Sequence, residues 1–317
     1  MVLAAVAANR GEDRTGFADA RRLRGRSAGR TFEAMQADGT TERFDFARAS
    51  RDATARFLAG VALAAGPAVM EEHRRGAAAR TKRDGTPVTA ADERAEAAIR
   101  ERLDRLAEPI AVVAEEAVAA GEAIRVAERF LLVDPLDGTR EFLKGNGEFT
   151  VNVALVVDGA PVAGAVYAPA LERLWFGGET AYACDAPPGA DLPASGAWRP
   201  LRTRRAGETL AALASRSHGD PATEAFLARL PVGERRPAGS SLKFCLIAEG
   251  KADVYPRFGP TMEWDTAAGD AVLRAAGGAT LAAEGGPLAY GKIATGLRNG
   301  AFVAWGDPRL AARFGQR

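Results

Sequence analysis

The sequence predicts a mixed α/β (α+β) fold of stacked helical and sheet layers, with an antiparallel-rich sheet in its first half and a smaller α/β second half. Three observations carry this. Between residues 149 and 184 the runs FTVNVALVV, PVAGAVYA, RLWFG and TAYAC alternate or stay apolar, separated by turn signals such as Asp158-Gly159 and Gly177-Gly178; this is the pattern of an antiparallel meander. Beyond residue 200 the order becomes strand–helix–strand. Residues 51–75 carry apolar side chains at helical spacing.

Taken in order, residues 1–50 are rich in Arg, Asp and Gly with weak periodicity, which reads as a disordered N-terminal extension or a start assigned too far upstream. Residues 51–75 then form a helix in which Pro67 is a candidate kink. The polar segment TKRDGTPVTAADERAEAAIRERLDRL becomes helical near Ala90, with Asp92 in the first turn, where the helix dipole favours an acid. A short strand, AVVA, leads into Glu115-Glu116, and the apolar run Phe130 to Val133 sets Asp134 at the carboxyl end of a buried strand. After the meander, residues 186–200 (APPGADLPASGAWRP) are a Pro/Gly-rich loop or junction, dividing the chain into 51–200 and 201–317. The second part reads as strand TLAALAS, helix PATEAFLARL, strand VGERRPAG, helix SSLKFCLIAEG, strand ADVYP and helix WDTAAGDAVLRAAGG.

Composition narrows the function. The 317 residues are 47% hydrophobic and 26% charged with a net charge of +1, ordinary for a globular chain and without the positive excess of a nucleic-acid groove. The preference for Arg over Lys and the abundance of Ala read as genome composition bias. Cys184 and Cys245 lack metal-like spacing and read as buried free thiols in a reducing cytoplasm, and with His73 and His218 as the sole histidines a zinc site of the His type is not expected. No segment approaches the ~18 apolar residues of a membrane span, and the start lacks the basic n-region of a secretory signal.

The chemistry concentrates in residues 134–152, DPLDGTREFLKGNGEFTVN. Asp134 and Asp137 stand three apart around a turn, and Gly138 and Thr139 offer backbone N–H groups and a hydroxyl where a helix can start. Such a volume suits Mg²⁺ and a phosphate. Asp92, Glu115 and Asp265 also sit at buried strand ends or helix starts. Each alone fits a cap or a loop acid, but together with Asp134 and Asp137 they form a set that repels itself unless divalent cations neutralise it. Lys243 lies on an otherwise apolar helix, where it could snorkel to solvent, and Gly239-Ser240-Ser241 before it would cap that helix and leave N–H groups for a second phosphate. His218, taken alone, has a second reading as a surface loop residue.

The strings PVTAAD (87–92), AEE (114–116), DPLDGTREFLKGNGEFTVN, SRSH (215–218), GSSLKFCLIAEGKADVYPRFGPT (239–261) and WDTAAGDAVLRAAGG together resemble the inositol monophosphatase superfamily, in order from about residue 55 to about 305. REFLKGNGEFTVN and GSSLKFC…PRFGPT are similar to its 3'(2'),5'-bisphosphate nucleotidase branch. The resemblance implies a layered αβαβα sandwich of the sugar-phosphatase type, with residues 51–200 as the metal-binding domain and 201–317 as the nucleotide-binding domain. It implies two Mg²⁺ ions, and a third near Glu115: Glu115, Asp134 and the carbonyl of Leu136 would hold one, and Asp134, Asp137 and Asp265 a second. Asp92 and Thr139 would form a dyad orienting the attacking water, with Glu115 beside them in catalysis. Lys82 would lie near the metals. Ser215, His218, Gly239 and Lys243 would contact the nucleotide, and Gly138, Thr139 and Asp265 would face the substrate. Ala114 departs from the Ser common in relatives, without touching the ligand set.

The implied activity is Mg²⁺-dependent hydrolysis of the 3'-phosphate of adenosine 3',5'-bisphosphate to AMP and phosphate, with the sulfated nucleotide as a second substrate and sensitivity to lithium. Phosphate-monoester hydrolysis is among the slowest uncatalysed reactions, which fits a site built around metals. The partner is a small nucleotide, not a nucleic acid, and the chain is monomer or homodimer, cytoplasmic or peripheral on the inner membrane's cytoplasmic face. Two alternatives stand beside this. An inositol- or sugar-phosphate phosphatase of the same superfamily would usually continue past D-G-T with T-N-F, where this chain has Arg140 to Phe142. A non-catalytic nucleotide sensor would have lost Asp92, Thr139 or a ligand, and all are present.

Overall fold

The computed structural model describes residues 43–76, 79–81, 87–215 and 220–314. Residues 1–42, Lys82 and His218 lie outside the described residues. The chain from Arg43 onward forms one compact unit.

The layers follow from where alternate side chains of two sheets are buried. Helices α1 (Arg51–Arg75) and α2 (Ala90–Leu103) flank a hairpin of β1 (Arg80–Thr81) and β2 (Pro87–Val88). The seven-stranded sheet comprises β3 (Ala111–Ala114), β4 (Arg129–Asp137), β5 (Thr150–Val157), β6 (Ala160–Ala168), β7 (Arg173–Gly177), β8 (Ala181–Asp185) and β9 (Arg199–Pro200), side by side in chain order. Only β3 and β4 run parallel; every later pair is antiparallel. Two short helices, α3 (Glu115–Ala119) and α4 (Thr139–Lys144), hang from the ends of β3 and β4. The five-stranded sheet has the order β11-β10-β12-β14-β13, from β10 (Leu210–Ser215), β11 (Val232–Ala238), β12 (Val254–Arg257), β13 (Ala279–Ala282) and β14 (Phe302–Trp305). Helices α5 (Pro221–Leu227), α6 (Leu242–Ala248), α7 (Ala267–Ala275) and α8 (Arg309–Phe314) complete the described fold.

Along β4 and β5 the odd residues Leu131, Val133, Val153 and Leu155 bury against Leu58, Ala62, Ala95 and Ile99 of α1 and α2. The even residues Phe130, Leu132, Ala154 and Val156 bury on the other face with Leu242, Phe244 and Ile247 of α6, Val272 of α7, and Leu213, Tyr255 and Phe302 of the second sheet. That sheet turns Leu210, Val254 and Trp305 the other way, onto Phe226 of α5 and Ala311 of α8. Period-two alternation in both sheets therefore yields helices, sheet, helices, sheet, helices. The division at residue 200 falls between the two sheets, within the one unit.

Three expectations need correction. The second sheet is not purely strand–helix alternation: β13 and β14 add antiparallel strands beyond β12. Residues 43–50, expected to belong to the extension, pack on the fold. Phe44 bridges Leu106, stacks on Phe57 and meets Phe46 edge-on, and Ser50 caps α1 by accepting the Ala53 N–H at 3.1 Å. Apolar burial of Phe44 and Phe46 outweighs the polar composition around them. Finally, α1 is long and apolar enough to cross a membrane by length and composition, against expectation; 56% of that stretch is buried inside the protein, where it packs on β6 and β7. Pro67 lies inside the helix without ending it. Cys184 and Cys245 are both free and buried.

Candidate active site

The site begins at a one-residue fault in β4. In a regular strand, residues three apart point to opposite faces, which would separate Asp134 from Asp137. Here Asp134 pairs with Asn152 and Asp137 with Thr150, so three steps on β4 match two on β5. This bulge returns Asp137 to the face of Asp134, and Pro135, which cannot donate to a ladder, sits inside it. The parallel register of β3 on β4 pairs Ala114 with Val133, and one step further brings Glu115 beside Asp134. Asp265 comes from the turn before α7, not from the helix start expected for it; the helix begins at Ala267, and Asp265 accepts the Met262 N–H at 2.8 Å.

Carboxylate oxygens of Glu115, Asp134 and Asp265 lie within 4.8 Å of one another. Asp134 is buried, and one of its oxygens accepts the Leu136 N–H at 3.0 Å. Asp137 is oriented by the Ser241 N–H, 2.7 Å from Oδ2. Burial, followed by the charges of Glu115 and Glu141, raises the Asp137 carboxyl to about 6 despite the nearby Lys243. Burial and then the charges of Asp137 and Glu115 push Asp265 well above the usual carboxylate range. Such a close all-oxygen set is costly as bare anions and fits a hard divalent cation.

Asp92 serves two purposes at once. As N3 of α2 it closes a capping box, its Oδ2 accepting the Thr89 N–H at 2.8 Å and the Thr89 hydroxyl at 2.7 Å. Its other oxygen faces the Thr139 hydroxyl at 3.5 Å, a long contact that also lies 3.5 Å from the Leu136 carbonyl oxygen. Gly138 holds φ 91°, and a Cβ there would lie 2.2 Å from Ser240 Oγ, so this turn requires glycine.

One cleft of about 240 Å³ is lined by Glu115, Asp134, Leu136, Asp137, Gly138, Thr139, Ser215, Gly239, Lys243 and Asp265, gathering the described residues singled out from sequence except Asp92, which stands behind Thr139. Arg140, Glu141, Ser240, Tyr255, Arg257 and Thr266 line it as well. Arg257 is the main residue missed. Its guanidinium donates to the carbonyls of Gly259 and Pro260 at 3.2 and 2.9 Å, which holds a nearly buried cation at the cleft wall. Its signal was the PRFGPT string itself, which carried the resemblance but gave no role to the Arg.

Two expectations for the 239–243 segment are corrected. Lys243 does not snorkel: it is 4% exposed, with its ammonium donating to the carbonyls of Ser240 at 2.6 Å and Ala238 at 3.2 Å, and burial lowers it to about 8. Six of the seven residues of helix α6 are buried, and Lys243 lines the cleft. Nor do the amides of Gly239 and Ser241 wait for a second phosphate: they donate to Glu148 Oε2 at 2.8 Å and to Asp137 Oδ2.

Comparison with known proteins agrees with this geometry. Residues 50–310 match the model of the inositol monophosphatase family. The chain is 45% identical over 209 residues to the 3'(2'),5'-bisphosphate nucleotidase CysQ of Salmonella typhimurium, covering 66% of this chain and 81% of that protein. It is 43% identical over 210 residues to the protein of the same name from Escherichia coli K12, covering 66% and 82%. The crystal structure of CysQ from Bacteroides thetaiotaomicron superposes with a TM-score of 0.66 at 38% identity, covering 80% of this chain and 96% of that one. An inositol monophosphatase from Anabaena, at 24% identity and a TM-score of 0.62 over 81% of this chain and 91% of its own, shares the fold.

Proposed function

The chain belongs to the inositol monophosphatase family, and on that premise we propose that it is a Mg²⁺-dependent 3'(2'),5'-bisphosphate nucleotidase, converting adenosine 3',5'-bisphosphate to AMP and phosphate in the cytoplasm. One observation carries the reading. The cleft that holds the Glu115–Asp134–Asp265 cluster also holds two buried cations, Lys243 and Arg257, so a single substrate carrying two phosphates meets a metal site and a basic wall together. The named relatives support the same activity.

In this reading Glu115, Asp134 and the Leu136 carbonyl would hold one Mg²⁺, and Asp134, Asp137 and Asp265 a second. Bound there, the ions would supply charge neutralisation for the phosphoryl group and acidify water. The chain's own contribution is orientation. Asp92 Oδ1 draws the Thr139 proton toward itself, which leaves the Thr139 lone pairs to align a water against the phosphorus. Gly138 lets the turn approach the substrate closely, and Lys243 and Arg257 neutralise the phosphate that is retained. The seven-stranded sheet supplies most of the metal ligands and the five-stranded sheet most of the nucleotide wall.

The decisive experiment measures phosphate release from adenosine 3',5'-bisphosphate, the 2',5' isomer and inositol 1-phosphate while Mg²⁺ is titrated. Turnover of the nucleotides, absent in EDTA, is the expected result. Rapid hydrolysis of inositol 1-phosphate with inert nucleotides would sink the reading.

A further inference from the structure

Between β11 and α6 the chain makes a turn of three residues, Gly239 to Ser241, under unusual constraint. Ser240 holds φ 49°, a left-handed conformation that side chains rarely adopt. Its hydroxyl lies 2.9 Å from the Asp137 carbonyl and 2.8 Å from the Glu148 carbonyl, so one proton is shared between two acceptors. A Cβ on Gly239 would fall 2.6 Å from the Glu148 carbonyl oxygen. This turn is thus pressed against residue 148, which belongs to the REFLKGNGEF segment.

Glu148 is placed for that contact by its own loop. Gly145 and Gly147 take φ of 69° and 75°, and the Asn146 side-chain oxygen accepts the Glu148 N–H at 3.0 Å, turning the chain back toward β5. The Glu148 carboxylate then reaches across to accept the Gly239 N–H at 2.8 Å. Because Lys243 donates to Ala238 and Ser240, on either side of Gly239, whatever fixes Gly239 also fixes the ammonium.

We propose that Glu148 is a positioning residue that sets the preference for nucleotide bisphosphates over small phosphate monoesters, by bracing the Gly239–Ser240 turn so that Lys243 stays aimed into the cleft. This rests on the nucleotidase reading, since only a substrate with a second phosphate uses Lys243. The metal arm has a separate support: the pairing of β4 with β5 holds Asp134 and Asp137 without Glu148. Charge alone is not the requirement. A Gln oxygen can accept the same N–H, whereas Asp keeps the charge but falls one methylene short.

The test compares the full chain with E148A, E148D and E148Q, using adenosine 3',5'-bisphosphate and p-nitrophenyl phosphate at saturating Mg²⁺, with thermal unfolding recorded for each. Loss of the hydrogen bond from the Gly239 N–H corresponds to about a tenfold rise in KM for the nucleotide in E148A and E148D. The expected companions are a little-changed kcat, a little-changed KM for the small ester, and E148Q close to the parent. Equal losses on both substrates, no change in nucleotide KM, or unfolding of both E148A and E148D would overturn the proposal. A parent protein active on the small ester but inert on the nucleotide would instead bring down the nucleotidase reading, and this inference with it.

Discussion

The two arms of the site are held by different forces. Glu115, Asp134 and Asp137 sit at the ends of β3 and β4, where parallel and antiparallel ladders fix each residue against its neighbour and a single bulge sets the facing. Asp265 rides on a turn and Lys243 on the first turn of α6, both outside any ladder and held by side chains that reach backbone groups. The buried Glu263 accepts the N–H groups of Gly291 and Lys292 at 2.5 and 2.9 Å and pairs with the Lys292 ammonium at 2.8 Å. Asn299 donates to Thr261 Oγ1, the Met262 carbonyl and Thr266 Oγ1, spanning the turn that presents Asp265. Ladder geometry tolerates loss of one side chain, because the backbone bonds remain. A turn pinned by side chains moves when one of them is removed. Substitutions in the first arm should therefore delete chemistry without displacing neighbours, and those in the second should loosen binding.

The largest effect tests the ladder arm. Asp134→Ala removes the ligand assigned to both ions and should lower turnover by more than about a thousandfold, given the several kcal/mol that metal-ion charge stabilisation provides. Circular dichroism should match the parent, and the unfolding temperature in EDTA should be no lower, since one anion of the cluster is gone. A collapsed fold would break the comparison, because it would mean that the ladder depends on that side chain.

A second test uses pH. Asp137 has its carboxyl raised to about 6, chiefly by burial. A group raised in the folded state binds its proton more readily there than when unfolded, so its contribution to stability is complete below the unfolded value near 4 and disappears as pH rises through about 6. In EDTA the parent should lose unfolding temperature over that window relative to Asp137→Asn, which does not ionise. Added Mg²⁺ should stabilise the parent at neutral pH and the variant much less, because a ligand that binds only the folded state stabilises it. Parallel pH curves for the two proteins would remove the assigned conflict among the carboxylates.

These arms also differ in how much of them could be read in advance. The apolar run Phe130 to Val133 marks a buried strand and so locates Asp134, and the polar segment before Ala90 marks a helix start with Asp92 in its first turn. The bulge that brings Asp137 round leaves only Pro135 as a trace, because it is a fact of pairing with β5. In the second arm, Lys243 looked free to reach solvent because periodicity on a seven-residue helix does not reveal that α7 and the second sheet enclose it. Arg257 lies on a four-residue strand, and its burial depends on carbonyls of the following turn. Strands β13 and β14 escaped notice for a related reason: ATLA and FVAW are short, the first is Ala-rich, and both exist through partners distant in sequence.

A moderate effect probes the turn arm. Asn299→Ala removes an amide whose two N–H protons serve three acceptors in residues 261–266. Each hydrogen bond is worth about 1 kcal/mol, and part of that loss should appear as a Mg²⁺ half-saturation raised by roughly three- to tenfold. Calorimetric Mg²⁺ binding should weaken in step, while kcat at saturating Mg²⁺ holds. Unchanged Mg²⁺ dependence would show that Asp265 is fixed without Asn299, and the contrast between ladder and turn would lose its basis.

The smallest effect separates local loosening from a general loss of stability. Ser50→Ala deletes the N-cap of α1, far along the chain from either arm, and leaves the Ala53 N–H without its side-chain acceptor. A lost cap costs about 1 kcal/mol, which lowers the unfolding temperature of a domain this size by roughly 2–4 °C. Because α1 is otherwise held by apolar contacts with α2, β6 and β7, the helix should keep its place. Mg²⁺ half-saturation and the KM for either phosphate ester should then equal the parent values. If Ser50→Ala shifts Mg²⁺ dependence as far as Asn299→Ala does, the turn arm is responding to global stability and not to its own pins. If it shifts only the unfolding temperature, the binding change in Asn299→Ala belongs to the turn that carries Asp265.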